Sequence, residues 1–171
     1  HKLPQSNRFV VAAKSPLTGG IGTSNCGGHF AYGMKLAGYD AIILKNQSKN
    51  WTWIDINEDK VEFKSAEQLV GKGTYEVQEM LPKGTYKAVI GPAGENQVLF
   101  AGVVSQERIA GRTGMGAVMG SKKVKAITCT GTQKPTAAME EKLKEYTKWF
   151  NDYRKRHLMM GTFLPKYGTA G

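Results

Sequence analysis

Residues 108–123 read RIAGRTGMGAVMGSKK, and their reading decides how the rest of the chain is organised. Arg108 and Arg112 flank a tight turn; Gly111, Gly114, Gly116 and Gly120 follow, and Lys122 and Lys123 close the stretch. Glycines let a backbone reach left-handed conformations and approach a ligand closely. A loop opening into a helix offers free N–H groups and the positive end of a dipole. Arginine adds planar, bidentate donors suited to phosphate. The stretch therefore reads as a cradle for a large, flat anion.

An earlier segment has the same layout. SNCGGHFAYGMKLAGYDAIIL runs from a glycine turn through a short helix of small residues, about His29 to Leu36, into a strand around Ala41-Ile42. RTGMGAVMGSKKVKAITCT repeats this, with Ala126-Ile127 in the matching place. Two such units facing each other across a pseudo-twofold would present two anion sites; chance likeness between glycine-rich segments is the alternative.

Working outward, Phe9 to Ala13 reads as a strand and YDAIILK as a strong buried strand. WTWIDIN and VEFKS read as a hairpin across NEDK. SAEQLVGKGTYEVQEML has a helical period, with Ser65 as N-cap and Leu69, Val77, Met80 and Leu81 inward. YKAVIGPAGEN is a strand and turn in which Glu95 and Asn96 brace the neighbouring loop; VLFAGVVS and VKAITCTG are further strands. From Pro135 the composition changes. Met139, Leu143, Tyr146, Phe150 and Tyr153 fall on one helical face, with Thr136 as N-cap, acids in the first turns and Arg154–His157 in the last. This is a packing helix leading out through GTFLPKYGTAG.

Composition bounds the function. The 171 residues, 40% hydrophobic, suit one domain or two small lobes. No apolar run reaches the ~18 residues of a membrane helix, and no signal peptide is visible. A net charge of +10 implies either a solvated basic surface or an anionic partner. Two cysteines, Cys26 and Cys129, are too few for an iron–sulfur cluster or a structural zinc within the chain, and their use fits a reducing, cytoplasmic compartment. Cys129 lies in a strand and is read as packed. Cys26 is read as a small residue in a close turn, with a reactive thiol as the alternative.

Familiar nucleotide patterns fail. Gly120 is followed by Ser-Lys-Lys, not Lys-Ser/Thr, and the G-x-G of Gly114 and Gly116 meets its third glycine one residue late with no acid after the next strand. Nucleic acid would require aromatics among the basic residues, and the glycine loops hold almost none. No catalytic set stands out: His1, His29 and His157 are scattered, and Cys26 with His29 lacks an orienting third group.

Taken together, RFVVAAKSPLTGGIGTSNCGGHF, KLAGYDAII, IGPAGEN, ERIAGRTGMGAVMGSKKVKAI and LPKYGTA resemble the N-terminal domain of the tungsten-containing aldehyde ferredoxin oxidoreductase family, from about Arg8 to Ala170. The resemblance implies an α+β fold: two β-sheet lobes with short helices, a pseudo-twofold duplicated saddle, and a C-terminal helix. It implies that 1–134 is a tungstopterin-binding domain incomplete at its start, and 135–171 a helix and linker into a helical domain not contained in the chain. It also implies a bis-pterin holding tungsten or molybdenum, with magnesium bridging the two pterin phosphates. Arg8 matches the arginine ahead of K-S-P-L-T-G, and Asn25 and Gly27 match the N-x-G turn at the phosphates. Arg108, Ile109, Gly111 and Arg112 match the R-x-A-G-R turn on the other pterin. The backbone carbonyls of Asn25 and Ile109 would ligate the magnesium; Ile109 departs from the small residue expected there, and Cys26 replaces a commoner small polar residue.

The family's reaction is oxidation of an aldehyde to a carboxylate, with electrons leaving through a 4Fe–4S cluster to ferredoxin or an electron-transfer subunit. The cluster cysteines and the acid–base groups belong to later domains, so this piece alone is expected to be inactive, and the full-length protein to be a cytoplasmic homo-oligomer. Two readings stay open: that cofactor domain, or a basic, non-catalytic module for another phosphorylated ligand or partner subunit.

Overall fold

The computed structural model describes residues 6–168. Asn7–Lys134 form one compact unit, and the residues from Pro135 onward belong to a second. The first unit is α+β: a two-stranded sheet and a six-stranded sheet with short helices between.

The chain enters through β1 (Phe9–Lys14) and β2 (Ile21–Cys26), an antiparallel hairpin in which Phe9 faces Cys26 and Val10 faces Asn25. Alternation decides its faces. Gly22, Ser24 and Cys26 are buried and Phe9, Val11 and Ala13 pack on the core, while Val10, Ala12, Thr23 and Asn25 look outward. The glycine loop read from SNCGG begins only at Gly27, since Ser24–Cys26 lie in β2. These small polar residues form a strand because the hairpin register supplies the hydrogen bonds that their weak β-propensity does not. α1 (Phe30–Leu36) follows from His29, ends at Ala37, and turns at Gly38 with φ +88°.

β3 (Thr52–Asn57) and β4 (Lys60–Ser65) make the expected hairpin, tightened by Glu58 at φ +52°. A 3-10 turn (Glu67–Leu69) precedes α2 (Thr74–Met80); Gly71 and Gly73 split the single helix that the period suggested. Leu69, Val77 and Leu81 are buried as expected, whereas Met80 is exposed. Ser65 ends β4, and its Oγ accepts weakly from the Glu67 N–H at 3.5 Å. Next come β5 (Tyr86–Val89), α3 (Pro92–Glu95), β6 (Val103–Ser105), β7 (Arg108–Ala110), α4 (Met115–Ser121) and β8 (Val124–Thr130). The strand expected from Val98 begins only at Val103, because Val98 and Ala101 close turns onto the end of α3.

The large sheet runs β4-β3-β8-β5-β6-β7, with β3 and β8 parallel and the other pairs antiparallel. One face carries Ile54, Ile56, Ala88, Ile127 and Cys129 against α1, α4 and the first hairpin. The other carries Val89 and Ala126 against Leu69, Val77, Leu81 and Trp53. Cys129 is wholly buried in strand packing, as read, and burial pushes its thiol up to about 12.

One expected strand fails to form. The segment 39–45 has no ladder partner, and Ile43 is 79% exposed although Ile42 and Leu44 pack on the core. Its apolar pattern suits a strand, but no neighbour within the described residues supplies the hydrogen bonds.

The second unit contains α5 (Glu140–Arg156), a π-helical stretch (Leu158–Phe163) and α6 (Leu164–Tyr167). α5 starts four residues after the expected cap at Thr136. Tyr146, Trp149 and Tyr153 stack along it, and none of its residues is buried. Among the described residues no helix is long and apolar enough to cross a membrane.

Candidate functional site

The candidate residues converge where the β1–β2 hairpin meets β7. β2 packs beside β7, and the glycine turn after β2 lies over the β6–β7 hairpin. A Cβ at Gly27 would stand 3.5 Å from Cγ of Arg108, so the missing side chain lets the arginine lie across the turn. Gly28, at φ +84°, sits so close to Ser105 that a Cβ would be 2.9 Å from its carbonyl oxygen. Beneath both lies Cys26, 1% exposed. Burial raises its thiol pKa, opposed by the Ser105 and Ala110 N–H groups and by Arg108 and Arg8. Register sets Phe9 opposite Cys26, so Arg8 enters β1 just ahead of that pair, and Arg108 lies over the Gly27 that follows it.

Ser15 N–H donates to Gly20 O at 2.8 Å. By the alternation of an antiparallel ladder, the odd residues of β1 bond to β2, and Asn25, opposite Val10, turns its N–H and C=O away from β1. Asn25 and Ile109 are both exposed. A Cβ at Gly111 would meet only Ile109 side-chain carbons, at 3.7 Å and beyond, so its outer side is open. Arg112 is exposed, and its N–H donates to Ser24 Oγ at 3.0 Å. The candidates Arg8, Asn25, Gly27, Arg108, Ile109, Gly111 and Arg112 therefore share one region.

The rest of the glycine loop does something else. Gly114, at φ +76°, Gly116 and Gly120 are buried, and Cβ atoms there would be 2.1 Å from Leu99 O, 2.4 Å from Gly102 O and 1.9 Å from Gly94 O. The Gly116 N–H is taken by Ala101 O at 2.8 Å. These glycines let α4 lie directly on the 94–102 backbone instead of admitting a ligand. Lys122 and Lys123 likewise donate to Asn46 O and Lys49 O. The sequence pattern groups the open Gly111 with packing glycines, because a missing Cβ looks the same in both.

Sequence reasoning also missed the supports. Ser15 Oγ donates to Thr113 O at 2.8 Å and accepts from the Leu17 and Thr18 N–H groups, and Gly22 leaves room for Thr113. With Ser24 they fix the 112–114 turn on the first hairpin. Ser105 Oγ is buried without a hydrogen-bond partner, beside Gly28. Glu95 accepts from the Gly71 N–H, in the loop ahead of α2, and from the buried Lys125. His29 is exposed beside Tyr86, whereas Cys26 is buried, so they form no nucleophile–base pair. Among the described residues no group of three or more His, Cys, Asp or Glu gathers to hold a metal.

The arrangement is an exposed platform with three arginines and open backbone, and among the described residues no acid–base set lies on it. The family model for the aldehyde ferredoxin oxidoreductase N-terminal domain matches residues 1–131. The chain belongs to the aldehyde ferredoxin oxidoreductase family. It is 42% identical to the tungsten-containing aldehyde ferredoxin oxidoreductase of Pyrococcus horikoshii over 98% of its length, and 42% identical to that of Thermococcus kodakarensis. It is 31% identical to the WOR-like subunit of an aliphatic sulfonate oxidoreductase of Pyrococcus furiosus. The solved active-site complex BamBC of benzoyl coenzyme A reductase is similar over 87% of this chain and 24% of its own, with a TM-score of 0.83 and 38% identity. The chain spans 28–29% of the length of these aldehyde oxidoreductases.

Proposed function

We propose that residues 1–134 bind a tungsten or molybdenum bis-pterin for an oxidoreductase acting on aldehydes, with 135–171 as the helix and linker beyond. The observation that carries this reading is the meeting of the two hairpins at Gly27: Arg108 lies across that turn, Arg8 enters β1 beside the Phe9–Cys26 pair, and Ser24 holds the Arg112 backbone N–H. The donor set fits two phosphate-bearing groups: each hairpin brings its own arginine and its own glycine opening, at Gly27 and Gly111. Neither Arg8, Arg108 nor Arg112 has an acid partner among the described residues, so their charge is available to an anion.

In this reading Arg8, Asn25 and Gly27 hold one pterin, and Arg108, Ile109, Gly111 and Arg112 the other. The exposed Asn25 and Ile109 would offer backbone carbonyls to a magnesium ion. Hard oxygen donors suit that ion, which keeps several water ligands. When bound, the bis-pterin metal supplies the two-electron oxidation of aldehyde to carboxylate. The chain's own residues bind and orient: the arginine forks fix the phosphates, and the braced 112–114 turn fixes Arg112. A 4Fe–4S cluster, ferredoxin or another electron-transfer subunit, and homo-oligomerisation in the cytoplasm complete the proposal at the level of the whole protein.

Arg112→Ala in the whole protein tests it: tungsten or molybdenum and pterin per chain should fall, and unchanged content by elemental analysis would overturn it. The 171 residues alone should show no aldehyde oxidation, since none of the acid–base groups is among them.

A further inference from the structure

The turn that carries Arg108 is held from a helix far away in sequence. β6 and β7 join through Gln106 and Glu107 alone, since register sets Ser105 opposite Arg108. Gln106 takes φ +56°, a left-handed conformation that suits glycine and strains a residue with a Cβ. A glutamine stays there when something outside the hairpin holds it.

That hold comes from α2. The Gln106 N–H donates to Oε1 of Gln78 at 2.6 Å, and Nε2 of Gln78 donates to Gln106 O at 3.2 Å. One side-chain amide thus closes on both backbone groups of the left-handed residue, across 28 positions of sequence. Rotating the peptide on either side of Gln106 would break one of the two bonds. Gln78 is itself anchored. Its Nε2 also donates to Thr74 O at 3.2 Å, and its backbone carbonyl accepts from Lys87 Nζ at 2.6 Å. Lys87 lies in β5 and donates to Leu81 O as well, so the end of α2 is tied to the large sheet.

The effect falls on the meeting of the two hairpins. A Cβ at Gly28 would stand 2.9 Å from Ser105 O and 3.4 Å from Gln106 Oε1, and one at Gly27 would stand 3.5 Å from Arg108 Cγ. Ser105, Gln106 and Arg108 therefore all meet the glycine turn after β2, and the shape of their own turn sets where Arg108 starts. We propose that Gln78 is a positioning residue: by closing on Gln106 it fixes the Gln106–Glu107 turn and so aims Arg108 across Gly27. The proposal rests on the reading of Arg108 as a phosphate ligand of the bis-pterin. Gln78 acts through the turn and not by contact with the cofactor.

The test uses the whole protein and follows the half-time of tungsten or molybdenum loss in dialysis at fixed ionic strength. Gln78→Met keeps the length of the side chain and removes both bonds to Gln106. It should shorten that half-time about tenfold, the lower end for groups that orient a ligand-binding side chain. Hydrogen exchange at the Gln106 amide should speed up in the same variant. In an Arg108→Ala background Gln78→Met should change the half-time by less than about twofold, because the group it aims is gone. Gln106→Gly added to Gln78→Met should recover most of the loss, since glycine holds a left-handed φ unaided. A helix merely destabilised at Gln78 would gain nothing from that glycine. A wild-type half-time in Gln78→Met, an equal loss with and without Arg108, or no recovery from Gln106→Gly would each overturn the proposal while leaving the cofactor reading intact. Full metal retention in Arg108→Ala would overturn Arg108 as a cofactor ligand, and the role of Gln78 with it.

Discussion

The ammonium of Lys125, wholly buried, is held by the carboxylate of Glu95 across the turn between β5 and β6. The sheet aims it there: register steps from Thr52↔Val124 to Trp53↔Ala126, leaving Lys125 as the extra residue of a bulge. Lys125 Nζ also donates to Lys72 O, and the other Glu95 oxygen accepts from the Gly71 N–H. The pair fastens α3 just where Gly94 meets Gly120 of α4.

Breaking this pair from one side should therefore be severe. Lys125→Met leaves the Glu95 carboxylate buried without its cation, which costs about 3–5 kcal/mol. Thermal unfolding should shift down by about 10 °C. The double change Lys125→Met with Glu95→Leu should recover much of that loss, because an apolar pair leaves no charge to strand. A single variant as stable as wild type would show that the pair carries no weight.

The two kinds of glycine can be separated by one methyl group each. Gly120→Ala places a Cβ 1.9 Å from Gly94 O, a backbone atom that cannot swing aside. It should cost about 2–3 kcal/mol through overpacking. Gly111→Ala meets nothing closer than 3.7 Å and has no left-handed φ to strain. Its stability should stay within about 0.5 kcal/mol of wild type. In the whole protein, however, Gly111→Ala should lower bound tungsten or molybdenum, because the methyl fills the open side of the turn. Equal unfolding curves for the two alanine variants, or full metal content in Gly111→Ala, would contradict this division.

The difference between those glycines explains what could be read from the sequence. The hairpin of β3 and β4, the β8 strand and the buried side of α2 follow from local alternation and period, and the residues themselves show it. Arg8, Gly27, Arg108 and Arg112 stand out as candidates only through the family resemblance, and their roles are for the variants to test. The roles of Gly114, Gly116 and Gly120 depend on contacts with residues 94–102, which no local pattern announces. Ser15 and Ser24, which brace the turn, look like ordinary turn residues until the hairpin brings them under Thr113 and Arg112. The segment 39–45 shows the opposite failure: its pattern is a strand's, but a strand needs a neighbour.

Cys129 predicts a slope of stability with pH. Burial, with help from the Asp55 charge, raises its thiol from 9.0 to about 12. The folded state thus keeps a proton that the unfolded chain releases. The stabilisation is complete below pH 9 and is lost as pH rises toward 12, by at most about 1.4 kcal/mol per pH unit. Lysines and tyrosines titrate in the same window, so the quantity to measure is the difference between wild type and Cys129→Ala. Denaturant melts at pH 8, 9.5 and 10.5 should show that difference shrinking. A pH-independent difference would mean that the thiolate is tolerated in the core. Iodoacetamide at pH 8 should leave both buried cysteines of the folded chain unmodified.

The arginines where the two hairpins meet carry the sharpest prediction. Arg8 and Arg108 are both exposed, and neither has an ion-pair partner among the described residues, so removing either should leave the melting temperature almost unchanged. Loss of a charge-assisted bond to phosphate should weaken cofactor binding by about 2 kcal/mol, roughly 30-fold. Arg108→Lys keeps the charge but loses the planar fork, so it should retain metal only partly. Because the two arginines sit on different hairpins, Arg8→Ala and Arg108→Ala should each lower tungsten or molybdenum and magnesium per chain in the whole protein. Together they should lower it further than either alone. Elemental analysis after dialysis at rising ionic strength reads this directly, since screened phosphate contacts release their ligand earlier. Wild-type metal content in the double variant would mean that the exposed arginines serve another anion.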